Sequence, residues 1–364
     1  LVELARKRTD FAGAAFGLDG WAANRVKEAL RLPAAAAGAL RSVQVANTVQ
    51  DRTVRRWHGE DFGHACAHCG GVDTALHRFW ECPELAAPRA KGLGNLTMAE
   101  VRAEAPQLTL LTGLVPVDRG LERARTEAER QVCPVGPPGG VSAGTVYTDG
   151  SAFEPSDPWL RRAGWGVVWR GPDGEWRRAS GVTPGRQTPA RSELFAALWA
   201  TVGAQPGARL VMDCRYVVDG VAALRAGKGR KYLQGLDGDL WRRFSGQTLP
   251  ECVWVPSHKT LRVFVERGFE EADWWGNEEA NRVAEAAARR RRVPEPTREL
   301  QARRVQVLKA AVAVVAFVQE AHLVVRHGIG QGAAAPAGPR RPPRRPQTQE
   351  ERSGRPPATR PPLL

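Results

Sequence analysis

Between residues 145 and 292 the spacing of apolar positions switches repeatedly between two periods. "TVYTDGSA", "AGWGVVWRG" and "EWRRASGV" are short runs rich in β-branched and aromatic residues, and the turn "GPDG" separates the last two, so three strands are expected. "SELFAALWATVGA" places Leu194, Ala197, Leu198, Thr201 and Val202 on one helical face. "ARLVMDC" reads as a short buried strand, "RYVVDGVAALRAG" and "GDLWRRFSG" as helices, "ECVWVPSH" as the last strand and "NEEANRVAEAAARRRR" as the last helix. The order β-β-β-α-β-α-α-β-α predicts an α/β domain in which helices flank a mixed sheet.

The rest of the chain divides by composition. Residues 1–60 are rich in Ala, Leu and Arg and predict helices, 61–92 carry a Cys/His cluster, and 93–144 combine helices such as "GLERARTEAERQ" with a Pro/Gly linker. A helix is expected within 293–328, with Val305, Leu308, Val312 and Val315 on one side. The Pro/Arg-rich tail, 329–364, is expected to be disordered. The most apolar run, "AAVAVVAFV", is about half the length that crosses a bilayer, so no membrane partner is expected. The charged start "LVELARKRTDF" does not read as a secretion signal, which predicts an intracellular protein, nuclear or cytoplasmic. A first residue of Leu rather than Met points to a piece of something longer.

Charge narrows the partners. Lys and Arg exceed Asp and Glu by 53 − 39 = 14, which favours a polyanion, nucleic acid first and an anionic membrane surface second. A basic tail on an ordinary enzyme would also account for part of the excess. Cysteine usage adds a metal. Cys133, Cys214 and Cys252 are scattered, whereas "CAHCGGVDTALHRFWECP" offers Cys66, Cys69, His77 and Cys82, with His64 and His68 as nearby decoys. Three thiolates and one imidazole at these separations fit a closed tetrahedral Zn²⁺ site in a reducing compartment. A closed shell is structural.

Candidate chemistry lies in the α/β segment. Asp149 sits within the first strand, Glu193 opens the first helix beside its apolar face, and Asp213 ends the next strand. Asn281 lies in the last helix one turn after Asn277, and His258 follows the last strand. Strand ends and helix starts of this order bring such groups together above one edge of a sheet. Carboxylates so close repel unless cations neutralise them, and hard oxygen ligands select Mg²⁺ or Mn²⁺. Two such ions activate water and stabilise the leaving oxygen of a phosphodiester.

Taken together, "YTDGSA", "RSELFAAL", "MDCRYVVDG", "DLW", "WVPSH" and "GNEEANRVAEAA" resemble ribonuclease H of type 1, over roughly residues 145–292. The resemblance implies a mixed five-stranded sheet and hydrolysis of the RNA strand of an RNA–DNA hybrid. It implies that Asp149, Glu193 and Asp213 ligate the metal ions and that His258 assists proton transfer or product departure. The family's fourth acidic position falls on Asn281, whose amide oxygen can still ligate a metal but brings no charge. A longer segment, "KTLRVFVERGFEEADWWG", precedes the last helix. A hybrid is read by shape and 2′-hydroxyls, so the amides of Gly150 and Ser151 and the side chains of Arg191 and Arg215 are expected to face its minor groove. Lys228, Arg230 and Lys231 either grip phosphates of the DNA strand or form a solvated loop. The cysteine cluster resembles the zinc-binding region behind the polymerase of non-LTR retroelement reverse transcriptases. The Tyr-x-Asp-Asp polymerase signature does not occur in the chain, so a polymerase domain outside it is an expected partner. Two rivals remain: a decayed, non-catalytic nucleic-acid-binding remnant, and a DNA strand-transfer enzyme on the same fold. The Asp, Glu, Asp order disfavours the second.

Overall fold

The computed structural model describes residues 17–45, 65–133, 144–205 and 207–327, together with residues 14 and 136. The tail at 329–364, the stretch 137–143 of the linker and His64 lie outside the described residues. Leu1–Ala321 form one compact unit and the chain from His322 onward a second. Of the second, the described part is a helical stretch to His327.

The helices before the sheet are α1 (Gly20–Leu30), α2 (Ala34–Gln44), α3 (Ala86–Leu93), α4 (Met98–Glu104), α5 (Gln107–Thr112) and α6 (Arg119–Glu129). Their starts are written in the sequence. Asp19 caps α1 by accepting from the Ala22 amide at 2.9 Å, Thr97 and Glu100 close a capping box on α4, and Asp118 caps α6. The α/β segment follows as β1 (Thr145–Phe153), β2 (Arg162–Arg170), β3 (Trp176–Val182), α7 (Pro189–Gly203), β4 (Arg209–Met212), α8 (Arg215–Arg225), α9 (Arg230–Leu233), α10 (Gly238–Ser245), β5 (Glu251–Trp254), α11 (Leu261–Glu266) and α12 (Glu271–Arg290). The last element is α13 (Glu295–His327).

The five strands form one sheet in the order β3-β2-β1-β4-β5, antiparallel from β1 to β3 and parallel across β1, β4 and β5. This is the mixed sheet expected from the sequence, with a ribonuclease H-like topology. Alternation along each strand divides its two faces. Val146, Trp165, Val167, Trp169, Leu210 and Met212 pack with α7, α8 and α10, while Tyr147, Val168 and Val211 pack with Phe264 of α11 and with Ala280 and Val283 of α12. Because α7 lies between the sheet and helices α8 and α10, it is buried on nearly every side from Arg191 to Thr201. Val202, expected on its apolar face, lies exposed in the last turn instead.

The segment between the last strand and α12 contains α11, and α12 starts at Glu271, earlier than its "NEEAN" pattern predicts. The terminal helix is longer than its apolar run. By length and composition α13 is the one helix among the described residues able to cross a bilayer. Within the first unit, however, Val307, Ala311, Val314, Val315 and Val318 are at most 1% exposed and share a core with Phe79, Trp80, Leu85 and Val101. A core helix passes the same test of composition. The cysteine region and α13, far apart in sequence, therefore close one hydrophobic core. The contact is tight: a Cβ on Gly92 of α3 would lie 2.5 Å from the Val314 backbone nitrogen.

Candidate active site

Asp149 occupies the middle of β1. Strand alternation puts it with Tyr147 on the α12 side, and in register it faces Gly166 of β2. The next residue, Gly150, points the other way, where a Cβ would come within 2.2 Å of the Glu193 backbone nitrogen. Only glycine lets the start of α7 approach β1 this closely. That approach carries Glu193 to β1, while the Thr188 side chain caps α7 by accepting from the Arg191 amide at 3.3 Å. Asp213 sits directly after β4, its carbonyl accepting from the Trp254 indole of β5 at 2.9 Å. One carboxylate oxygen from each of Asp149, Glu193 and Asp213 lies within 4.8 Å of the others.

Burial and mutual repulsion set the electrostatics. Burial first, and then the Asp213 charge, push the Asp149 carboxyl up to about 6. Glu193 is raised well above the ordinary carboxylate range, by burial and then by Asp149. Asp213 is raised by burial, partly offset by the charge of His258 and by a hydrogen bond from Asn277. His258 is exposed in the loop after β5, with φ at 53°, a left-handed conformation uncommon outside glycine. The Glu193 Oε2 and Asn277 Oδ1 atoms are buried without a hydrogen-bond partner. Three crowded carboxyls with raised pKa values and two orphaned oxygens make a donor set that fits hard divalent cations.

The remaining expected residues separate. Arg215 is exposed at the start of α8, its guanidinium 3.8 Å from the centre of the Trp254 ring. Lys228, Arg230 and Lys231 are exposed on the turn into α9. Asn281 is half-buried on α12. The expectation that Arg191 faces the substrate is corrected. Its side chain is buried and its guanidinium is used internally, on Asp237 at 3.2 Å, on Asp239 at 2.8 Å and, through Nε, on the Pro184 carbonyl at 2.7 Å. It ties α7 to the start of α10. Asn277, noted in the sequence only as a neighbour of Asn281, is a buried α12 side chain that lies beside Asp213. A buried amide on a helix turn facing a strand carboxylate is a signal that periodicity alone does not single out.

The cysteine cluster also assembles. The ligand atoms of Cys66, Cys69, His77 and Cys82 all lie within 4.8 Å of one another. The Cys66 and Cys82 sulfurs are 3.8 Å apart and the Cys69 sulfur is 3.2 Å from His77 Nε2. Metal–sulfur bonds of about 2.3 Å in a tetrahedron give a sulfur–sulfur edge of about 3.8 Å, so the spacing fits Zn²⁺. The Gly70 amide donates to the Cys66 carbonyl at 2.8 Å, and Arg89 donates to the Cys82 carbonyl at 2.8 Å, which holds the loop ends together. Burial pushes the Cys82 thiol up to about 11, while the Gly71 amide lowers that of Cys69.

A mixed 3-2-1-4-5 sheet with three acidic groups brought together from β1, α7 and the end of β4 is a ribonuclease H-like arrangement. Consistently, residues 142–289 match the family model of RNase H, which supports nuclease activity of that type. Among solved structures, the RNase H domain of PFV is 21% identical, with 40% of this chain and 94% of that chain covered and a TM-score of 0.31. LC9-RNase H1, described as a type 1 RNase H with the type 2 active-site motif, is 20% identical over 47% of this chain and 83% of that chain, with a TM-score of 0.30. No curated protein matches the chain.

Proposed function

We propose that the chain is a divalent-metal-dependent endonuclease that hydrolyses the RNA strand of RNA–DNA hybrids and derives from a retroelement polyprotein. The observation that carries this reading is the convergence of Asp149, Glu193 and Asp213 within 4.8 Å in a domain that matches RNase H. Asp149, Glu193 and Asp213 would hold two Mg²⁺ or Mn²⁺ ions, which would supply an activated water and charge compensation for the leaving oxygen. The chain's own residues do the rest. Asp149, Glu193 and Asp213 fix the position of that positive charge from three separate elements, so the site is rigid before substrate arrives. His258, exposed in the loop after β5, assists proton transfer or product departure. The amides of Gly150 and Ser151 and the guanidinium of Arg215 meet the minor-groove edge of the hybrid, and Lys228, Arg230 and Lys231 meet phosphates of the DNA strand.

The Cys66, Cys69, His77 and Cys82 cluster holds one structural Zn²⁺ in this reading. A zinc module preceding a ribonuclease H domain supports an origin in a retroelement reverse transcriptase, whose polymerase domain is the proposed partner. The test is incubation of the full chain with end-labelled hybrid and Mg²⁺ or Mn²⁺, beside duplex DNA and an EDTA control. Cutting confined to the RNA strand, dependent on metal and lost in Asp213→Asn, is expected. Equal cutting of duplex DNA, or cutting that survives chelation, overturns the proposal. Binding without cleavage at any metal concentration favours a second reading, a non-catalytic remnant, which the uncharged Asn281 at the fourth acidic position motivates.

A further inference from the structure

The Asn277 side chain is 5% exposed on α12, and its Oδ1 atom is buried with no hydrogen-bond partner. A buried carbonyl oxygen left unpaired is costly, so such atoms have partners in folded proteins. The amide lies beside Asp213, whose carboxyl it helps to hold down, so the orphaned oxygen belongs to the surroundings of the metal-ligating cluster. The Thr148 hydroxyl is also buried without a partner, but strand alternation puts it on the opposite face of β1 from α12. Asn281, one turn along, is only half-buried and reaches solvent.

We infer that Asn277, rather than Asn281, supplies the fourth oxygen ligand of the divalent-metal site, and that the site is completed by a neutral amide in place of a fourth carboxylate. An amide carbonyl is a hard oxygen donor suited to Mg²⁺ and Mn²⁺. It completes the coordination while adding no charge to a cluster in which three carboxyls already repel. The site therefore binds these ions more weakly than one closed by four acids.

This rests on the metal-nuclease reading above, and Mn²⁺ binding to the full chain without substrate separates the two. The probe is Mn²⁺ alone, counted by the loss of its free electron paramagnetic resonance signal, with zinc content and helix content measured on the same samples. Asn277→Ala is expected to weaken Mn²⁺ about tenfold, Asn281→Ala to leave it within about twofold, and Asn277→Asp to tighten it about tenfold beyond the wild type. Alanine is the most favourable helix residue, so both alanine variants keep α12. Asn277→Asp keeps the oxygen but loses the donor to Asp213, so tightening marks a ligand and not a residue that merely orients Asp213. If Asn277→Ala binds Mn²⁺ as the wild type does, or Asn277→Asp binds as weakly as Asn277→Ala, the assignment of Asn277 is wrong while the metal site stands. If the wild type binds no Mn²⁺, both readings fall.

Discussion

Replacing Asp149 by Asn removes a carboxylate that the fold holds at a cost, so the variant gains stability as it loses catalysis. Burial and the Asp213 charge raise this carboxyl from its ordinary 3.8 up to about 6. A group whose folded pKa lies above its unfolded one leaves stability intact below the unfolded value and subtracts from it as pH rises through the folded one. The shift of about two units corresponds to roughly 3 kcal/mol, fully lost above about pH 7 and about half lost near pH 5. Urea unfolding of wild type and Asp149→Asn, both stripped of metal with EDTA, at pH 4, 5 and 7.5 measures this. The variant is expected to match the wild type at pH 4 and to exceed it by about 3 kcal/mol at pH 7.5. Mg²⁺ shrinks the difference, because a bound cation relieves the repulsion that the substitution removes. A variant less stable than the metal-free wild type at pH 7.5 would refute the reasoning, since Asp149 would then be stabilised by partners other than a cation.

Gly150→Ala places a Cβ against the Glu193 backbone; it should lower stability by about 1–3 kcal/mol and depress hybrid cleavage more than hybrid binding, read from urea midpoints and single-turnover rates. Gly92→Ala drives a Cβ into the Val314 backbone and should loosen the cysteine module, seen as faster zinc loss to a chelator and a lower midpoint; Cys69→Ser should release zinc altogether. Arg191→Ala breaks a buried ion-pair network and should cost about 3 kcal/mol or more with no change in how binding depends on salt. Arg215→Ala should leave stability nearly unchanged and reduce the salt slope by about one. An Arg191→Ala variant that is stable but shows a flatter salt slope would restore that residue to the nucleic-acid surface.

What the sequence made legible was local. The five strands and their covering helices follow from periods of two and 3.6, and Asp149, Glu193 and Asp213 stand in short patterns that place a carboxylate on a strand, a helix start and a strand end. Arg191 was misread because what it does depends on Asp237 and Asp239, 46 and 48 residues away; no window of periodicity contains them. Val202 continues the apolar stripe of α7 by spacing, yet the helix ends beyond the layer that covers it. Asn277 and Asn281 are equivalent on a helical wheel to within one turn, and only the position of α12 over β1 tells which is buried.

The cysteine module shows the same limit on a larger scale. Its four Cys and His side chains come together as their spacing suggested, but its core is completed by α13, on the far side of the whole α/β segment. The ribonuclease H-like domain is thus inserted between the two halves of one core. The turn that follows β1 is held from both of those halves. Trp21 of α1 donates to the Ser156 carbonyl at 2.9 Å, Gln301 of α13 donates to Asp157 at 3.2 Å, and Arg298 pairs with Glu154 at 3.0 Å. β1 carries Asp149 four residues before its last residue, so a turn pinned at Glu154, Ser156 and Asp157 restrains the strand that positions the first carboxylate. Zinc need not touch the chemistry to matter to it. A metal that orders the module orders the platform against which that turn is fixed.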